Sequence, residues 1–98
     1  MRISGKLKLA EYVQKQPRAA RPLNKWVKEV EKATWETPND LKRTFPHADN
    51  VGNSHYVFNI GGNNFRLIAV VLFIDGILSI RFIGSHADYD KIKDCSKI

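Results

Sequence analysis

The sequence predicts an α+β fold, with two N-terminal helices packed on a small antiparallel β-sheet and a short helical turn at the C-terminal end. Two observations carry this prediction. Before residue 35, apolar residues recur at spacings of three and four, as on one face of a helix, whereas β-branched and aromatic residues dominate after residue 54. Because 98 residues fit one domain, we predict a single domain over residues 1–98.

Two helices are predicted in the N-terminal third. Leu7–Gln16 has an apolar face and stops at a proline, and a second helix is expected to begin near Pro22, where the missing N–H costs little. We expect Trp26 and Trp35 to anchor the core rather than to stack on bases. The apolar stripe of the second helix comprises Leu23, Trp26, Val27, Val30, Ala33 and Thr34.

The rest of the chain alternates between turn signals and β-rich runs. Asp75-Gly76 and Gly61-Gly62-Asn63 are strong hairpin signals, because their residues tolerate the left-handed backbone of tight turns. The other predicted elements are a strand at Arg2–Ser4, a helical turn at Leu41–Phe45, a loop at Pro46–Ser54, strands at His55–Ile60, Asn64–Ile74 and Ile77–Gly84, and a helical turn at His86–Lys93.

The second hairpin is predicted residue by residue. A two-residue loop, Asp75-Gly76, pairs Ile74 with Ile77, and the register then sets Arg66 opposite Ser85. Directly opposed residues share a face, so one face is wholly apolar and is expected to meet the helices. That face comprises Phe65, Leu67, Ala69, Val71, Phe73, Leu78, Ile80 and Phe82. The other face comprises Arg66, Ile68, Val70, Leu72, Ser79, Arg81, Ile83 and Ser85.

Charge and cysteine content narrow the environment and the partners. Sixteen Lys and Arg against ten Asp and Glu give a net charge of +6, which favours polyanions or acidic proteins as partners. The single cysteine, Cys95, permits no internal disulfide and is typical of a reducing compartment. Residues 1–10 lack an apolar signal segment, and the longest apolar run, Leu67–Ile74, is too short to span a membrane. We therefore expect a cytoplasmic protein with no membrane contact.

Basic and proton-transferring side chains converge at one end of the predicted sheet. Arg66 lies beside the end of the last strand, where His86, Tyr89 and Lys91 follow. Arginine binds phosphate oxygens in a bidentate manner, and histidine transfers protons near neutral pH. These residue types therefore point to chemistry on a phosphate.

A second interpretation of the same residues stays open. Arg66 and Arg81 can equally be solvated residues that pair with Asp88 or Asp90. The three histidines are scattered without metal-ligand spacing, so neither a metal nor a cofactor is expected.

Three motifs between residues 37 and 90 follow a known pattern. Residues 37–49 read TPNDLKRTFPHAD, residues 58–67 read FNIGGNNFRL, and residues 83–90 read IGSHADYD. Together they closely resemble the HigB toxin family of the RelE superfamily, in which a Thr often occupies the position of Ser85. The N-terminal helical half is similar in layout rather than in motif.

The resemblance implies a RelE-like fold and a ribosome-dependent endoribonuclease, an mRNA interferase that inhibits translation. The implied reaction needs no metal: the ribose 2′-OH attacks the adjacent phosphate and leaves a 2′,3′-cyclic phosphate and a 5′-OH. The implied partners are mRNA, the ribosome and a HigA-type antitoxin with a helix-turn-helix DNA-binding domain.

The implied chemistry gives the candidate residues their roles. His86 is the expected general acid or base, Arg66 would hold the charge that grows on the phosphate, and Tyr89 would position RNA or transfer a proton. His55 shares the face of Arg66 if Gly61-Gly62 alone form the loop, but not if Asn63 joins it. The weaker candidates, expected to contact the RNA, are Lys91, Arg81, Lys42 and His55.

Two other functions remain compatible with the sequence. One is a ParE-type toxin, which has the same fold, inhibits gyrase and cleaves no RNA. The other is a non-catalytic module that binds RNA or the ribosome. The nuclease is favoured because proton-transfer groups cluster beside an arginine, and a gyrase inhibitor would not need them.

Overall fold

The fold consists of a basic helical layer packed on a β-sheet. A computed structural model describes all residues, 1–98. The α+β class is confirmed, and the arrangement is compatible with a RelE-like fold. The strands are β1 (Arg2–Ser4), β2 (Asp49–Gly52), β3 (His55–Ile60), β4 (Phe65–Leu72) and β5 (Ile77–Ser85). The helices are α1 (Lys6–Lys15), α2 (Ala20–Lys32), α3 (Pro38–Thr44) and α4 (His86–Asp90), with single 3₁₀ turns at Pro17–Ala19 and Cys95–Lys97.

The sheet is mixed rather than purely antiparallel. Its strand order is β1-β5-β4-β3-β2, in which β2 to β5 form an antiparallel meander and β1 runs parallel to β5. The polar stretch Asp49–Gly52, predicted to be loop, forms the edge strand β2. Its residues lack an apolar alternation, and their strand conformation comes from pairing with the backbone of β3.

The first face of the sheet, which carries Phe65, Leu67 and Val71, packs against the helices, as predicted. The second face is the opposite one, which carries Arg66 and Ile68. Trp26 and Trp35 are buried in this core, and the Trp26 ring meets Phe58 edge to face at 5.4 Å. Within the stripe of α2, Leu23 and Val30 are also buried. Both tryptophans therefore serve the core, as expected.

The predicted register of the second hairpin is wrong. Phe73 to Gly76 form a four-residue turn, closed by a hydrogen bond from Gly76 N to Phe73 O, so Leu72 rather than Ile74 pairs with Ile77. Gly76 has a φ of +67°, which places the left-handed residue at the end of this turn. An Asp-Gly pair fits this longer turn as well as a two-residue loop.

A β-bulge at Arg81 then exchanges the faces of the last strand. Ala69 pairs with Ile80 but Ile68 pairs with Phe82, so one residue of β5 is left without a partner. Phe82, predicted to be core, lies on the second face, whereas Ile83 packs against the core. Beyond the bulge, Arg66 pairs with Gly84, and Ser85 pairs with Phe65 on the opposite face from Arg66.

The second face of the sheet is covered by the C-terminal segment, His86–Ile98. Val57 and Ile68 on this face are 1% and 0% exposed, although the sequence places Ile68 on a mixed face. The helix α4 contacts β4 and β5, and the 3₁₀ turn at residues 95–97 contacts β2. The segment is fixed at its far end by a 3.0 Å hydrogen bond from Asn53 Nδ2 to Ser96 O. None of the helices is both long and apolar enough to cross a membrane.

Candidate active site

The second face holds an arginine without a counter-ion. The Nη2 atom of Arg66 lies 2.8 Å from His86 Nε2, and its Cζ lies 5.0 Å from the centre of the Tyr89 ring. Its Nε is buried and has no hydrogen-bond partner. The ion pairs of the chain join Lys6 to Glu31, Arg43 to Asp40 and Lys97 to Asp94, so no carboxylate neutralises Arg66. A half-buried guanidinium with a free N–H and no carboxylate favours an anionic ligand.

The open interpretation, in which Asp88 or Asp90 pairs with the strand arginines, is therefore wrong. The three ion pairs of the chain include neither Arg66 nor Arg81. Of the seven residues predicted for the site, Arg66, His86 and Tyr89 are brought into contact.

The helix α4 positions two of these three side chains. Ser85 caps it, because its Oγ accepts a hydrogen bond from Asp88 N at 3.2 Å. His86 is the first helical residue and Tyr89 lies one turn later, so both project from the same end of β5. The cap explains why the cluster forms although the predicted register was wrong. The sequence signal for this cap is Ser85 followed three residues later by Asp88, in the stretch SHAD.

Gly84 allows α4 to approach the sheet closely, and sequence reasoning missed it. This residue is buried and pairs with Arg66 across the strands. A Cβ atom at this position would lie 2.6 Å from Phe82 Cζ and 3.1 Å from Asp88 Cβ. A larger residue would therefore push the Phe82 ring aside and press against Asp88 of α4, the helix that carries His86 and Tyr89.

The hydrogen bond to Arg66 defines the protonation of His86. A guanidinium has only donors, so His86 Nε2 must accept this bond and carries no proton in this arrangement. The imidazole is then neutral, with its proton on Nδ1. An anion that binds the guanidinium would compete with His86 and release Nε2, which could then take up a proton.

Tyr89 remains a proton donor across the neutral range. Burial raises the pKa of its phenol, and the Cys95 thiol beside it raises the pKa further, whereas Arg66 acts in the opposite direction. The phenol therefore stays protonated. Its ring also covers the guanidinium of Arg66, which fixes the plane of that side chain.

Two of the weaker candidates hold the protein together. His55 is 7% exposed, and its Nδ1 and Nε2 lie 2.7 Å from Asn53 O and 2.9 Å from Ile98 O. It shares the face of Arg66, but neither predicted loop forms: residues 61–64 make a four-residue turn, and this even length places His55 on that face. Both ring nitrogens are occupied. Lys42 Nζ donates to the carbonyl oxygens of Pro46 and Ala48, at 2.9 and 2.6 Å. Lys42 thus secures the loop after α3.

The other two weaker candidates are exposed but differently placed. Lys91 follows α4 directly, on the segment that carries Tyr89. Arg81 is the unpaired residue of the bulge and lines a groove with Lys8, Glu11 and other residues of α1. The prediction that Arg81 shares the face of Arg66 is wrong, because the bulge alters the alternation of β5.

Comparison with known proteins identifies a family and several relatives that this chain resembles. Residues 19–92 match the family model HigB_toxin, described as the RelE-like toxic component of a toxin-antitoxin system. An mRNA interferase HigB of Escherichia coli O6:H1 is 33% identical over 94 residues, which cover 94% of this chain and 91% of that protein. The mRNA interferase toxin HigB of Escherichia coli K12 is 40% identical over 63 residues, 62% of this chain and 61% of its own length.

Proposed function

Because this chain belongs to the HigB toxin family, the RelE-like toxic components of toxin-antitoxin systems, we propose that it is an mRNA interferase that cleaves mRNA during translation. The observation that carries the proposal is the contact between Arg66 and His86. In this contact, the guanidinium of Arg66, which has no counter-ion, lies beside the Nε2 atom of His86, which can accept a proton once it is released from Arg66. Phosphate binding and proton transfer are the two tasks of RNA cleavage by an internal hydroxyl.

The proposed reaction uses the ribose 2′-OH as nucleophile. A phosphate oxygen of the RNA binds Arg66, which frees His86 Nε2 to accept the 2′-OH proton. The 2′-oxygen forms a new bond to phosphorus while the bond to the 5′-oxygen breaks. The 5′-oxygen takes a proton, for which we propose the neutral phenol of Tyr89 as the donor. The products are a 2′,3′-cyclic phosphate and a 5′-OH, and no metal takes part.

The charge distribution supports an RNA-rich docking partner such as the ribosome. Residues 1–32 hold nine Lys and Arg against three Glu, a surplus of six, whereas residues 33–98 hold seven of each sign. All nine of these basic residues are exposed, eight of them after β1 in the helical layer, and Lys6 alone among the nine forms an ion pair. A surplus concentrated on one layer attracts polyanions in a salt-dependent manner. We therefore propose that the helical layer binds the ribosome and that the second face of the sheet carries the site of RNA cleavage.

The toxin requires an antitoxin, which we propose is a HigA-type protein with a helix-turn-helix domain. We place the reaction in the cytoplasm, where translated mRNA is found and where a lone thiol such as Cys95 stays reduced.

The test is induction in a bacterial host with two reporter mRNAs that differ only in their start codon. Growth should stop, primer extension should find discrete cuts only in the translated reporter, and co-expressed antitoxin should restore growth. Equal cutting of both reporters would overturn the ribosome dependence. Growth arrest without any cutting, and with gyrase inhibited, would instead show a ParE-type toxin.

A further inference from the structure

A recess lies beside the Arg66 cluster, where the turn between β3 and β4 meets the chain that follows α3. Its volume is about 550 Å³, within the ~300–1,000 Å³ that is usual for small-molecule sites. None of the seven residues predicted for the site lines it. The lining residues are Thr44, Phe45, Pro46, His47, Ala48, Phe58, Asn59, Gly62 and Asn63.

The strand pairing places this recess next to the proposed phosphate site. Asn59 is the direct partner of Arg66 across β3 and β4, so the two residues share the second face. Side chains of directly opposed residues begin about 4.5–5.5 Å apart at Cβ. The recess therefore begins one strand away from the guanidinium.

The lining combines the half-buried ring of Phe45 with unused polar groups, and the fully buried ring of Phe58 supports Phe45 from the core. The rings of Phe45 and Phe58 meet edge to face at 5.3 Å. Asn59, Asn63 and His47 are exposed, and none of their side chains forms a hydrogen bond within the protein. Each Asn amide offers adjacent donor and acceptor groups, which is the pattern that reads the edge of a base.

The wall of the recess is held in place. Lys42 Nζ binds the carbonyl oxygens of Pro46 and Ala48, which flank His47. Phe45 is fixed on its other side by Trp35, whose ring lies 5.9 Å away. A fixed wall lets a site discriminate between ligands, because its polar groups do not adapt to a wrong one.

We propose that this recess binds a nucleobase of the RNA, that of a nucleotide next to the phosphate held by Arg66, and that the amides of Asn59 and Asn63 select it. The base would rest against the exposed part of the Phe45 ring and present its edge to the two amides. This inference rests on the proposed function, because it assigns the sequence preference of that same cleavage. Asn59 and Asn63 determine specificity here, whereas Arg66 and His86 perform the chemistry.

The experiment maps cut sites across the transcriptome of cells that express the wild type, Asn59→Ala, Asn63→Ala or the double variant. Asn64→Ala is the matched control, because Asn64 is exposed in the same turn but does not line the recess. In the double variant, the enrichment of the preferred base beside the cut should fall by about tenfold, the scale of one lost pair of base-edge hydrogen bonds. The control should keep the wild-type enrichment.

The outcomes separate this inference from the function on which it rests. If the wild type cuts RNA and the folded double variant keeps the same base preference, the recess does not select the base. The proposed nuclease function would still stand. An equal loss of preference in Asn64→Ala would overturn selection by the recess too, since the effect would then belong to the turn as a whole. If the wild type makes no cuts, the proposed function itself fails. Thermal unfolding of each purified variant confirms that it is folded.

Discussion

Replacing Ile68 by Ala tests whether the second face of the sheet is covered. The sequence places Ile68 on a mixed face, whereas the structure buries it completely, between Val57 on β3 and Phe82 on β5. The C-terminal segment covers this face, and α4 contacts both β4 and β5. The side chain is therefore part of a second apolar cluster, separate from the core beneath the helices.

The magnitude follows from complete burial. Truncation of a fully buried Ile to Ala costs about 2–5 kcal/mol, and a site closed on both sides by other side chains lies near the middle of this range, about 3 kcal/mol. For a domain of this size, ~1 kcal/mol lowers the Tm by about 4–8 °C, so we expect a fall of roughly 12–24 °C. That is a large part of the ~5–15 kcal/mol that holds a domain folded.

The assay is thermal and urea unfolding of the purified variants, with Ile74→Ala as the matched control. Ile74 undergoes the same chemical change but is fully exposed in the turn between β4 and β5, so its replacement should change stability by less than ~0.5 kcal/mol. Similar small effects of Ile68→Ala and Ile74→Ala would refute the reasoning, because they would show that the C-terminal segment leaves this face open.

Three further predictions concern the cluster and its support. Gly84→Ala should destabilise the fold by about 1–3 kcal/mol and slow cleavage, because the added methyl group meets Phe82 and Asp88; unchanged Tm and rate would contradict it. Tyr89→Ala should slow single-turnover cleavage more than Tyr89→Phe, since only Phe keeps a ring over Arg66, and equal rates would remove that role. Hydrogen bonds from the backbone N–H groups of Glu36 and then Thr37 lower the pKa of Asp40, so its carboxylate stabilises the fold above its unfolded pKa and stops doing so as the pH falls through the lowered value. Asp40→Asn should therefore lower the Tm at neutral pH but not in strong acid, and an equal loss at both would contradict this linkage.

The sequence predicts the fold class well because its periodicities are strong. The stripe of α2 and the apolar alternation of β4 identify the core face. Val71 and Leu78 both lie on it as expected, although they pair with each other and not with the partners that the predicted register gave them. Trp26 and Trp35 are correctly placed in the core because large aromatic rings bury most of their area. Both predictions depend on local pattern alone.

The errors arise where local pattern does not determine the backbone. Asp75-Gly76 is compatible with turns of two or four residues, and no residue type marks the bulge at Arg81. The longer turn shifts the register by two residues and leaves every side chain on its predicted face, whereas the bulge shifts it by one and places Ser85 on the face opposite Arg66. His86 and Tyr89 still reach Arg66, because α4 begins directly after Ser85 and turns the chain onto the second face.

Two of the predicted RNA contacts are side chains that already bind backbone carbonyl oxygens within the protein. His55 lies beside the far end of the chain at Ile98, and Lys42 binds the backbone of its own loop. Nothing in a linear pattern shows that a basic side chain is already occupied by carbonyl oxygens. Asn59 was overlooked for the converse reason, since its position opposite Arg66 follows only from the pairing of β3 with β4.

The central claim is that the Arg66–His86 pair cleaves RNA. Its most direct test is the single-turnover rate of cleavage of a defined mRNA in a purified translation system, with end-group analysis of the fragments. The wild type should yield 2′,3′-cyclic phosphate and 5′-OH ends, and His86→Gln should be slower by about 10²–10⁴-fold while its Tm shifts little. Undiminished cleavage by a folded double variant, Arg66→Ala with His86→Gln, would contradict the account and place the active site elsewhere.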